Sequence, residues 1–152
     1  MAAPEIEGFR GRLLRELDRI VKSLDGLDEA AVNWTPDSPS ANSLLVLATH
    51  ALGAAEEHVV RQVAGKPITR SRDSEFAATG APTLVGQRAD EVRRRITDAL
   101  DGFDPARLGE ARESPFGERT VRDWLVHAVA HAAEHAGQAE LTRDLWLARS
   151  SG

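Results

Sequence analysis

The chain has no cysteine and no tyrosine, one methionine, and only 5% aromatic residues in 152. Without cysteine there are no disulfides, no thiolate metal sites and no cysteine nucleophile. Little soft or redox chemistry is left outside the five histidines. Also missing is any apolar run approaching the roughly 18 residues that span a bilayer. Met1 to Glu5 carry neither the basic stretch nor the apolar core of a secretory signal. A soluble, cytoplasmic protein with no membrane partner is expected. The charge shows no basic excess: 24 acidic and 19 basic residues give a formal net charge of -5. They are interspersed along the chain, apart from Arg93 to Arg95, which read as a solvated helix face. A nucleic-acid partner is not expected, because phosphates require a basic face.

A chain of this length fits one domain, residues 1–152, that buries about two thirds of its unfolded surface. Apolar residues recur at three- and four-residue intervals in four long stretches. The first, residues 5–24, carries Phe9, Leu13, Leu17, Ile20 and Leu24. The second, about 41–64, carries Leu44, Leu47, Ala48, Ala51, Ala55, Val59 and Val63, with His50 beside the stripe. The third runs from Thr83 to Leu100, and the fourth from Thr120 towards Arg149. Between the first two, residues 27–32 read as a turn. Pro36 and Pro39 interrupt regular structure, and Ser38, Ser40, Asn42 and Ser43 are the candidates to cap the second helix. Residues 66–82 read as a long polar excursion, and residues 103–118 as a second irregular connector without a convincing strand. The expected fold is all-α, a four-helix bundle with long connections. Trp34, Trp124 and Trp146 are expected in its core or at its ends.

Positions four apart on a helix differ by only about 40° in direction, so His131 and His135 point the same way, one turn apart. Zinc-binding H-E-x-x-H helices use this spacing. His50, on another helix, can supply a third nitrogen. Three imidazoles with one position left open make the ligand set of a catalytic metal site. Alanines crowd both helices, among them Ala51, Ala54, Ala55, Ala128, Ala132 and Ala136, and allow close approach of the two backbones. His127, one turn before His131, is a fourth ligand, a supporting partner or a rim residue. Glu57 and Glu134 are the candidate general bases, or acceptors for a ligand imidazole. His58, offset by about 80° from His50 on an ideal helix, is expected to face solvent. Gln138 either bonds a neighbouring helix or lines the pocket. Arg70, Arg72 and Lys66 in the long loop can steer an anionic substrate. The competing reading makes the histidines ordinary boundary residues of a non-catalytic helical protein.

The run His131-Ala132-Ala133-Glu134-His135-Ala136-Gly137-Gln138 resembles the last-helix signature of DinB-like (YfiT-like) metal-binding four-helix proteins. Trp34-Thr35-Pro36, then Ser40 to Leu44 and His50, resemble the approach to that family's second-helix histidine. The resemblance spans about residues 5–149, and Ala136 departs from it where relatives often carry a longer basic residue. It implies that His50, His131 and His135 hold a divalent ion, commonly zinc or nickel. Through related mycothiol-dependent maleylpyruvate isomerase N-terminal domains, it also implies a low-molecular-weight thiol cosubstrate and a transferase or hydrolase reaction. It further implies a homodimer, for which Leu14, Val21 and Leu147 are left outside one core. A non-catalytic small-ligand-binding or stress-associated dimeric protein is the alternative.

Overall fold

A computed structural model describes residues 3–115 and 117–149. Helix α1, Pro4–Lys22, begins with proline at its first turn, beside Glu5 and Glu7, and ends on Arg19 and Lys22. Both charge placements favour the helix dipole. Its buried stripe is Ile6, Leu13, Leu17 and Ile20. The segment expected to be a turn instead forms a short helix, α2, Glu29–Asn33. Asp28 caps it by accepting from the Ala31 N–H at 2.9 Å.

Helix α3, Leu44–Glu56, is capped by Ser43, whose hydroxyl accepts from the Val46 N–H at 3.2 Å. Ser38 and Ser40 lie outside it. Nearly every residue of α3 is buried, as expected for a helix apolar on all sides. Without a break it continues as a π-helical segment, Glu57–Val63. Gly65, at φ 70°, then reverses the chain in a conformation that a β-carbon would strain.

The long polar excursion contains a further short helix, α4, Arg72–Phe76, capped by Ser71. Helix α5, Thr83–Leu100, occupies the expected span and buries Val85, Ala89, Val92, Ile96, Ala99 and Leu100. The second connector forms a 3-10 turn, Pro105–Gly109, and a minimal antiparallel pair, β1 Ala111–Arg112 with β2 Arg119–Thr120. It leads into α6, Val121–Arg149. None of the described helices is long and apolar enough to cross a membrane.

Around the bundle α1 packs on α6, α6 on α3, α3 on α5, and α5 back on α1. Helices α1 and α6 are parallel, since Glu5 pairs with Arg122 near their starts and Arg19 with Glu140 further along. Helices α3 and α6 are antiparallel, with His50 against His131 and His135, and His58 against His127 and Trp124. Helices α3 and α5 run the same way: Glu56 meets Arg88 and Arg95, and the later Lys66 reaches the Asp98 carbonyl. Parallel neighbours need an overhand connection. The stretch 64–82 supplies it, and that return lays α4 across α3.

The arginine run is structural rather than a solvated face. Arg93 pairs with Asp18 of α1, Arg95 pairs with the buried Glu56, and only Arg94 is left exposed. Trp124 is in the core, whereas Trp34 and Trp146 pack at 5.7 Å near the end of α6 under the guanidinium of Arg149.

Candidate metal centre

His50, His131 and His135 converge. Each offers a nitrogen, and the three ligand atoms lie within 4.8 Å of one another. Ring centroids are 5.2 Å apart for His50 and His131, 5.0 Å for His50 and His135, and 4.4 Å for His131 and His135. Small residues make this approach possible: Ala51, Ala54 and Ala55 on α3 and Ala128, Ala132 and Ala136 on α6 are all buried.

Two of the rings are held by partners that set their tautomers. The Nδ1–H of His50 donates to Glu75 Oε1 at 3.1 Å, because an ionised carboxylate can only accept. Burial opposes the charge on Glu75, but hydrogen bonds from His50 and from Arg70 outweigh it and hold its pKa below the ordinary value. Arg70 grips that carboxylate with two nitrogens, at 2.8 and 2.9 Å. The Nδ1–H of His135 donates to Gln138 Oε1 at 2.7 Å. In the neutral form of each ring this leaves the lone pair on Nε2, the atom a cation requires.

The Nε2 atoms of His131 and His135 face each other at 3.2 Å. Two nitrogens each about 2.05 Å from a tetrahedral zinc ion would be roughly 3.3 Å apart. Without an ion, this pair needs a proton on one ring to avoid opposing lone pairs. Burial is the main cause that pushes both imidazoles below their ordinary pKa, His131 to about 3. Neutral nitrogen donors at this spacing fit a divalent cation.

Neither Glu57 nor Glu134 forms a hydrogen bond to the triad among the described residues. Glu57 bonds Arg61 and Gln62, and the exposed Glu134 acts on His135 only through its charge. The carboxylate that does reach it is Glu75, which sequence reasoning missed. Its one local signal is a helix start, Ser71 followed by Asp73 and Glu75 in the first turn.

His58 was expected to face solvent, yet it is only 8% exposed. The π-helical segment explains this, because its wider turn rotates each residue by less and carries His58 back towards the face of His50. Its ring lies 4.6 Å from His127 and 5.4 Å from both His131 and Trp124. Burial, then the neighbouring His127, His131, Arg70 and Arg119, push it down to about 3. His127 is half-buried on the same wall and stands outside the convergent triad. Arg70 and Arg72 lie beside the histidines, whereas Lys66 turns away to α5.

Four long helices in this arrangement, with a histidine cluster able to hold a metal ion between two of them, define the class: an all-α bundle with a potential metal-binding site. The sequence profile described as the DinB superfamily matches residues 12–139, and the chain belongs to that superfamily. Among solved structures it is similar to a conserved protein from Enterococcus faecalis, with a TM-score of 0.75 at 16% identity, covering 97% of this chain and 99% of that one. It is also similar to an uncharacterised protein from Clostridium difficile 630, with a TM-score of 0.67 at 9% identity, covering 91% of this chain and 95% of the other. These likenesses show the fold. A comparison with curated proteins gives no match.

Proposed function

We propose that the protein is a divalent-metal-dependent enzyme in which His50, His131 and His135 hold zinc or nickel. In this reading a low-molecular-weight thiol of the mycothiol type is the cosubstrate, and the reaction is group transfer or hydrolysis. The observation that carries the reading is the meeting of three imidazole nitrogens from two helices, two of them with partners that leave Nε2 free. Nitrogen donors of this kind suit either metal. A divalent ion there supplies Lewis acidity, which lowers the pKa of a thiol or water brought to it.

The chain's own residues do the positioning. Glu75 fixes the tautomer and direction of His50, and Arg70 keeps Glu75 ionised. Gln138 does the same for His135. The ring of Phe76 packs 4.8 Å from that of His50 and carries the Arg72 guanidinium over its face. A likeness to YfiT and to maleylpyruvate isomerase domains rests on the quoted motifs. A homodimer is part of the same proposal: Leu141, Leu145 and Leu147 are exposed on α6, whereas Leu14 and Val21 pack against the core.

Elemental analysis of untagged protein tests the centre. About one ion per chain is expected, lost in both His50→Ala and His131→Ala. A protein that takes up no ion from metal-replete medium would remove the centre. Consumption of a thiol with an electrophile panel, abolished by chelation, tests the reaction. Full metal occupancy without thiol consumption would favour a metal-bearing binding protein.

A further inference from the structure

Beside the triad lies a second chamber of about 290 Å³, and His50 and His131 form part of its wall. The rest of that wall includes Arg70, Arg72, Arg119, His58, Trp124 and His127, and no carboxylate lines it among the described residues. Arg70 is already committed to Glu75. Arg72 lies over the Phe76 ring at 4.8 Å and Arg119 over the Trp124 ring at 5.1 Å, and neither forms an ion pair among the described residues. Asp123, whose carboxylate feels Arg119, is occupied by the Thr120 hydroxyl at 2.7 Å and the Thr120 N–H at 3.1 Å.

Two polar atoms of the wall residues, His58 Nδ1 and Trp124 Nε1, are buried without a hydrogen-bond partner among the described residues, in residues 8% and 2% exposed. An indole N–H can only donate, and a buried donor without an acceptor costs about 1–3 kcal/mol. Two guanidinium groups without ion-pair partners among the described residues and a buried indole N–H belong to one wall: all three can donate to an oxygen acceptor, and the guanidinium groups favour one that carries negative charge.

We infer that this chamber binds the oxyanion of a small substrate, a carboxylate or a phosphate ester, with Arg72 and Arg119 as its binding cations. Arginine's planar fork suits either group. The volume is at the small end of ligand sites, which run from about 300 to 1,000 Å³, so the ligand is a compact molecule. Because His50 and His131 belong to both sites, an anchored oxyanion places the rest of the molecule beside the triad. That role in substrate positioning rests on the metal-centre reading, whereas the affinity for oxyanions does not.

Calorimetric titration of metal-free protein with benzoate and with inorganic phosphate tests the inference, and metal content is measured separately on the same preparations. Saturable binding of at least one probe is expected. Arg119→Gln and Arg72→Gln should each weaken it by roughly tenfold to a hundredfold, while Arg94→Gln, on an exposed face of α5, should leave it unchanged. Preference for one probe identifies the carboxylate or the phosphate source. No binding of either probe up to about 10 mM, or equal weakening by all three substitutions, would overturn the inference even if the ion is retained. Oxyanion binding by a protein that never takes up an ion would leave the chamber standing and remove the metal centre.

Discussion

Glu75 Oε1 lies 3.1 Å from His50 Nδ1, joining residues 25 apart in the chain. The contact closes the crossover onto α3: Glu75 belongs to the short helix α4, and Arg70, just before it, clamps the same carboxylate. One chain reversal therefore provides both the overhand connection between parallel helices and the anchor of a site histidine.

Glu75→Gln should weaken metal binding by about 10–100-fold, because carboxylate partners of ligand imidazoles orient the ring and raise its basicity. The substitution keeps the shape but loses the charge that His50 and Arg70 share. Competition against a chromophoric zinc chelator measures the change, with helical content followed by circular dichroism. Affinity equal to the parent protein would dissociate Glu75 from the centre.

Gly53 is buried in α3, where a helix interior ordinarily prefers alanine by about 1 kcal/mol. Here a β-carbon would collide with the Glu75 carboxylate, 2.9 Å from Cδ and closer still to Oε2. Gly53→Ala is expected to destabilise by about 1–3 kcal/mol, as overpacking does, and to displace Glu75 so that metal affinity falls as well. Gly86→Ala and Gly137→Ala, with nothing within 4 Å of the added carbon, should instead stabilise by about 0.5–1 kcal/mol. Urea melts of the three variants give the comparison. A stabilised Gly53→Ala with unchanged affinity would show that the carboxylate has room to move.

These contacts also show where sequence reading stops. The span of α5 is legible because a strong apolar period lies between Pro82 and Asp101-Gly102. The approach of His50 to His131 and His135 is legible because helical spacing and alanine content are local properties. Glu75 is not, since its nearness to His50 depends on how residues 64–82 fold back. The burial of His58 is equally hidden: it results from a change of helical pitch at Glu57 that no periodicity argument anticipates. The helix α4 is too short for a period, and only the Ser71 cap announces it.

The metal-free protein should lose stability as pH falls below 7. Burial and neighbouring positive groups hold His58 near 3, against 6.5 for a free imidazole. Between those values the unfolded chain takes up a proton that the folded ring refuses, so acid favours unfolding. His58 alone accounts for about 2 kcal/mol between pH 7 and pH 5. Urea unfolding at both pH values should therefore show a smaller loss for His58→Gln than for the parent. The same loss in both proteins would place the acid sensitivity elsewhere.

Glu56 is fully buried and reaches Arg88 and Arg95 of α5, each about 31% exposed. Its carboxylate is the ionic link between the two parallel helices and lies one residue before the π-helical segment. Removing it leaves two guanidinium groups facing an apolar gap without their shared counter-ion. Glu56→Ala should cost about 2–4 kcal/mol, at and just below the roughly 3–5 kcal/mol for breaking a fully buried pair, because both arginines keep some contact with water. Glu91→Ala, which removes the 46% exposed partner of Arg88, should cost under about 1 kcal/mol. Urea midpoints at constant m-value separate the two. If both variants lose stability equally, Glu56 contributes no more than a surface pair, and the α3–α5 contact rests on Val92, Ile96 and their apolar neighbours alone.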